Sequence, residues 1–268
     1  MNILKKELKQ GVKSFLIWTA GLAFLILGGM VKFSGMEAAE TGGAGMNEML
    51  AQMPKPVLAL FGMSEANIET LGGFFAVLQF YVMIVAACYA ISLGSAAVLR
   101  ETTDKTYEFL FTKPCGRMHI LTMKLASGLC YLTVFGLLNY LFSLAAPGLY
   151  QIENSISQSM LLFSLAVYLI GIFFFCLGVF CAVMVPGAER AMQVSYAALL
   201  LSYGLSVLFD MDEALECLRP VTLFRYFRAA ELLDGRLAAG YLVALLLASS
   251  LLLWGSYRGF WGKDLNAA

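Results

Sequence analysis

The chain has 268 residues, of which 60% are hydrophobic and only 13% charged, and its formal net charge is zero. Charge at about half the usual share is too little to clothe a soluble core of this size. A balanced charge also provides no basic field to gather nucleic acid, which is excluded as a partner.

Residues 2–13, NILKKELKQGVK, set Ile3 and Leu4 against Leu8 at helical spacing among lysines. That pattern predicts a short amphipathic helix leading into the membrane. A frayed polar tail is the alternative. The apolar run that follows is long for the core of a signal peptide and reads as a retained first span. Six charge-poor segments reach the roughly 20 residues needed to cross about 30 Å of hydrocarbon. They lie at about 14–33, 74–99, 121–145, 160–185, 191–209 and 238–257. Their apolarity is continuous rather than alternating, which excludes a membrane barrel and leaves helices. The third should end near Pro147-Gly148 and the fourth before Pro186-Gly187. The predicted fold is all-α, a single polytopic transmembrane domain over residues 1–268.

Lysine and arginine placement orients the spans. Lys5, Lys6, Lys9 and Lys13 precede the first span. Arg100, Lys105, Lys113, Arg117 and Lys124 follow the second, and Arg258 and Lys263 follow the sixth. With six crossings all three groups fall on one side, which is read as cytoplasmic. The multi-pass chain is expected in the cytoplasmic membrane with both termini inside. The first loop on the other side holds Glu37, Glu40, Glu48, Glu65 and Glu69 against Lys55 alone, and its TGGAG at 41–45 reads as a flexible turn.

Enzyme signatures are missing. The sequence contains no HExxH, GxSxG or P-loop, and its single histidine is His119. The six cysteines form no CxxC pair and read as buried thiols, so neither a metal nor another cofactor is expected on this chain. The spans carry Gln79, Asn139 and Gln193 but almost no ionisable group. Such amides either bind helices together or touch cargo. Ion-coupled transporters usually carry charge inside the membrane, so energy is expected to enter from elsewhere.

Residues 100–124, RETTDKTYEFLFTKPCGRMHILTMK, are the most informative stretch. Thr102 or Thr103 can cap a short helix that sets Tyr107, Leu110 and Phe111 on one side, and Pro114 and Gly116 stop it. Exposed aromatics there fit a covering protein; a plain membrane-surface loop is the other reading. The order Glu101, Lys105-Thr106, Glu108, Leu110, Pro114, Arg117, Lys124 resembles the loop between the second and third spans of ABC-2-type ABC transporter permeases. The basic N-terminal segment, the six-span layout and Pro220, Phe224, Tyr226 and Phe227 before the last span extend the resemblance over most of the chain. Lys105, where many relatives have Gly, and Gly116 before the Arg depart from it.

The resemblance implies a permease half that pairs with a second copy or a homologous permease and docks on two copies of a separate ATPase subunit. That subunit would hold ATP and Mg. The loop at 100–118 becomes the cytoplasmic coupling element, with Glu101, Thr106, Tyr107, Glu108, Phe109, Leu110, Pro114 and Arg117 as its site residues. Export is the implied direction. Membrane lipid is the remaining partner. A different class stays open: a membrane-embedded accessory or immunity protein that binds a peptide or lipid without moving it.

Residues 218–235 alternate aromatics with arginines and are too short and too charged to span. They read as a broken, re-entrant segment on the outer face. In that reading Phe224, Tyr226 and Phe227 sit at the membrane interface and form an outer gate. Arg225 and Arg228 share one helix side, toward headgroups or Glu231. A solvated external helix is the alternative.

Overall fold

A computed structural model describes residues 2–39, 45, 50, 52–64, 67–103, 116–152, 156–211 and 222–261, with the backbone alone at 2–3, 37–39, 101–103 and 117. All regular elements among the described residues are helical. Six are long and apolar enough to cross a membrane: α1 (Asn2–Ala39), α3 (Leu71–Thr103), α4 (Arg117–Leu149), α5 (Ser157–Met184), α6 (Ala188–Met211) and α8 (Ala239–Trp261). Between them lie the short α2 (Lys55–Leu60), a 3-10 turn at Leu223–Arg225, and α7 (Ala229–Leu233).

The helices run longer than the apolar segments because few residues stop them. From Asn2 to Ala39 there is no proline, so residues 2–13 are the opening turns of α1 rather than a separate surface element. Helix α4 starts at Arg117, a turn before the expected third span, and so takes in His119. It ends at Leu149, near Pro147-Gly148 as expected. The Ile152 and Tyr150 amides donate to the Pro147 carbonyl at 3.0 and 3.2 Å and close the last turn. Helix α5 stops before Pro186, which holds Val185 extended. The chain then reverses through Gly187 at φ +87° into α6.

Helices α3 and α5 form the centre, with 67% and 61% of their most apolar windows buried against 17% in α1 and in α8. They cross where Gly94 meets the carbonyl of Phe175; a Cβ at Gly94 would lie 2.3 Å from that oxygen. Lipid is as apolar as leucine, so helix association in a membrane rests on close packing and polar contacts rather than on hydrophobic burial. A backbone crossing between glycines meets that need, with Gly178 of α5 on the other side, where a Cβ would lie 2.8 Å from the Ile91 carbonyl. Helix α1 lies on α4 and α3, α6 on α5 and α3, and α8 on α5. Along α1, Leu22, Ile26, Met30 and Phe33 recur every three or four residues and are buried, forming the stripe that docks it.

An even number of crossings returns the chain to the side where it began. Contacts place the start of α1, the end of α3, the start of α4 and the end of α8 together; this is the terminal end. The loops before α3, α5 and α8 gather at the distal end.

Candidate functional site

At the terminal end, Glu7 of α1 lies between two cations. Arg100 Nη1, from the end of α3, donates to Glu7 Oε2 at 3.3 Å. Lys124 Nζ, from the start of α4, stands 3.8 Å from Glu7 Oε1. Glu7 and Lys124 are 5% and 4% exposed, while Arg100 keeps 28% of its side chain open. Removing one member of so buried a group leaves an uncompensated charge on the others. Two more contacts fasten this part of α1. The Tyr131 hydroxyl donates to the Leu8 carbonyl, and its ring lies 5.2 Å from that of Phe15. Gly11 makes room for it, because a Cβ there would sit 2.5 Å from the Tyr131 ring. On the other flank of α4, the hydroxyls of Thr122 and Tyr257 are 3.0 Å apart and tie in α8.

Of the residues singled out in the neighbouring loop, Thr106, Tyr107, Glu108, Phe109, Leu110 and Pro114 lie outside the described residues. Glu101 belongs to the last turn of α3 and Arg117 opens α4, each with its backbone alone described. The structure therefore brings together the two flanks of that loop, Arg100 and Lys124, through a carboxylate the sequence reading passed over. Glu7 had a signal: it is the only acid before Glu37, set among Lys5, Lys6 and Lys9. Those three lysines are exposed, whereas Glu7 faces inward.

In the distal half of the bundle, Gln79 of α3 donates from Nε2 to Ser143 Oγ at 2.9 Å and accepts from Asn139 Nδ2 at 3.3 Å. All three side chains are buried. These amides join α3 to α4, which is the helix-binding role rather than a lining for cargo.

At the distal end, Phe224, Tyr226 and Phe227 are buried inside the protein, not turned to lipid. The Phe224 ring sits 5.8 Å from Phe174 of α5, 6.3 Å from Phe80 of α3 and 6.3 Å from Tyr203 of α6. Tyr226 stacks on Tyr241 of α8 at 4.9 Å. Arg225 and Arg228 do not share a helix side, because the chain turns between the 3-10 segment and α7. Arg225 pairs with Asp210 at the end of α6, and the Arg228 guanidinium lies 5.5 Å above the Phe209 ring. Helix α7 stops before Gly235. The Arg236 amide reaches the Glu231 carbonyl at 2.8 Å and Gly235, at φ +75°, donates to Leu232 at 3.2 Å, a Schellman closure.

A family model described as ABC-2 family transporter protein matches residues 1–260. The chain belongs to the ABC-2 transporter family. A comparison with curated proteins finds no match. As an ABC-2 permease, it is the membrane component of an ABC transporter and not itself the ATPase, and permeases of this family generally work with an ABC ATPase partner. In this ABC-2 permease the two candidate sites lie at opposite ends of one bundle: a charge cluster beside the loop at 104–115, and an aromatic cluster where α3, α5 and α6 meet the distal loops.

Proposed function

We propose that the chain is the permease half of an exporter in the cytoplasmic membrane, paired with a second permease and driven by two copies of a separate ATPase subunit that binds ATP and Mg. The termini and the loop at 100–118 face the cytoplasm. In that loop Glu101, Thr106, Tyr107, Glu108, Phe109, Leu110, Pro114 and Arg117 receive the movement of the ATPase. Phe224, with Tyr226 and Phe227, closes the outer end until the bundle opens.

The observation that carries this reading is the cluster of Glu7 with Arg100 and Lys124. A loop that transmits force needs rigid flanks. Here both flanks are held by one buried carboxylate, at the end of the bundle richest in lysine and arginine. The distal aromatic cluster supports the gate: one ring, Phe224, touches three spanning helices, so a shift of any of them changes its seat.

Purification of the tagged chain from its native membrane tests the proposal. An ATPase subunit should accompany it, and Glu108→Ala or Phe109→Ala should leave insertion intact while ATP turnover no longer responds to the permease. Unchanged turnover in both variants would remove this loop from the coupling path.

A further inference from the structure

The first distal loop carries apolar residues that the packing of the bundle leaves uncovered. Met53, Val57, Leu60 and Phe61 are all exposed, in a segment from 52 to 64 whose sole charge is Lys55. Lys55 stands at the opposite end of α2 from Leu60. Exposed apolar groups on a loop need a cover.

The level of this segment comes from its hydrogen bonds. The Tyr81 hydroxyl donates to the Phe61 carbonyl at 3.2 Å, and the Tyr203 hydroxyl donates to the Leu60 carbonyl. Tyr81 lies ten residues beyond Leu71 in α3, about 15 Å along the helix, and Tyr203 lies eight residues before Met211 in α6, about 12 Å along it. Helix α3 is roughly 50 Å long and α6 roughly 36 Å, against about 30 Å of hydrocarbon. Centred in the membrane, both tyrosines stand several ångströms inside the hydrocarbon boundary. The end of α2 is held at that depth.

The carbonyls that close α2 are satisfied as a water-free setting requires. A helix end normally leaves four carbonyls to solvent. Here the Val57 carbonyl accepts from the Phe61 amide at 3.1 Å, Leu58 from Met63 at 2.9 Å and Ala59 from Gly62 at 3.1 Å. The next two, Leu60 and Phe61, take the tyrosine hydroxyls. Gly62, at φ +69°, makes the reversal, and a Cβ there would lie 2.6 Å from the Phe80 ring. In lipid every such group must find an internal partner.

We infer that residues 53–63 are a membrane-inserted strap, whose face of Met53, Val57, Leu60 and Phe61 rests among the acyl chains of the leaflet at the distal end. The occupant of that face is lipid, since the phenol bonds hold it at the level of the chains and its one charge is at the far end of α2. The strap also leans on the gate cluster, because Phe80 and Tyr203 touch both the strap and the Phe224 ring. Lipid packing at the distal leaflet thereby bears on the seat of Phe224.

The test uses the full chain, freed of native cysteines and reconstituted in phosphatidylcholine vesicles. Nitroxides are attached at Val57→Cys and Leu60→Cys, with Leu200→Cys as a lipid-facing reference and Gln52→Cys as a reference beyond the strap. The strap sites should match Leu200, with oxygen collisions raised and collisions with a water-soluble nickel chelate lost relative to Gln52. Nickel collisions at both strap sites would mean a solvated loop and overturn the inference. Exclusion of both relaxers would mean that a second copy or another protein covers the face, and would overturn it too. A second reading needs no nitroxide. In a chain whose three native tryptophans are phenylalanine, Val57→Trp fluorescence should be quenched by lipids brominated high on their chains; unquenched emission would contradict the strap.

Discussion

The two ends of this bundle are held by different mixtures of charge and aromatic contact. The terminal end is fastened by charge: one carboxylate, Glu7, shared by cations from two other helices. The distal end joins an ion pair, Asp210 with Arg225, to a larger set of rings: Phe224 among Phe80, Phe174 and Tyr203, and Tyr226 on Tyr241. A charge cluster is specific and brittle, because its members fail together when one is lost. Ring contacts are individually weaker and tolerate sliding. A rigid end suits receipt of force and a yielding end suits an opening, which is the division expected of a permease driven from one side.

The largest effect should come from Glu7→Gln. It removes the carboxylate shared by Lys124 and Arg100, and the expected cost is about 3 kcal/mol. Thermal unfolding in detergent measures the total. Hydrogen exchange should locate the loss in residues 4–13 and leave residues 222–233 protected. The paired reversal Glu7→Lys with Lys124→Glu should restore part of the stability, whereas Glu7→Lys alone should not. Equal exchange at both ends would mean that the ends are not independent.

Phe224→Ala is the counterpart at the distal end. It removes a ring that touches three spans, and the loss should be about 3 kcal/mol, less wherever the neighbouring rings close the gap. Here exchange should rise around residues 222–233 and stay low at 4–13. On the seam between α3 and α4, Gln79→Leu should cost only about 1 kcal/mol, since hydrogen bonds between membrane helices are worth little once the unfolded reference finds partners of its own. Its effect on exchange should be larger around residues 222–233 than at 4–13, because Gln79 lies in the distal half of α3.

Much of the fold could be read from the residues because the membrane makes its demand locally. About 20 apolar residues in a row specify a crossing whatever packs beside them, and Pro147 and Pro186 mark two of their stops through backbone geometry that they impose alone. The helix extensions were harder to see. Hydropathy marks where lipid is, not where a helix ends, so the lysine-rich turns of α1 looked like a separate piece. The partners at the sites were harder still. Glu7 and Lys124 are 117 positions apart in sequence, and Asp210 and Arg225 are joined only because the chain doubles back. Phe224 was noticed for its ring, but its neighbours come from three helices and no periodicity shows that. The strap at 53–63 was read simply as part of an acidic external loop. Its role depends on the hydroxyls of Tyr81 and Tyr203, distant in the chain.

In the proposed transporter the terminal end receives the ATPase while the distal end faces lipid and the exit. Photo-crosslinking in intact membranes tests it most directly, with benzoylphenylalanine at Phe109 in one chain and at Val57 in another. The account predicts an adduct with an ABC ATPase subunit from Phe109 and adducts with lipid alone from Val57. An ATPase adduct from Val57, or none from Phe109 in a complex that still hydrolyses ATP, would contradict it.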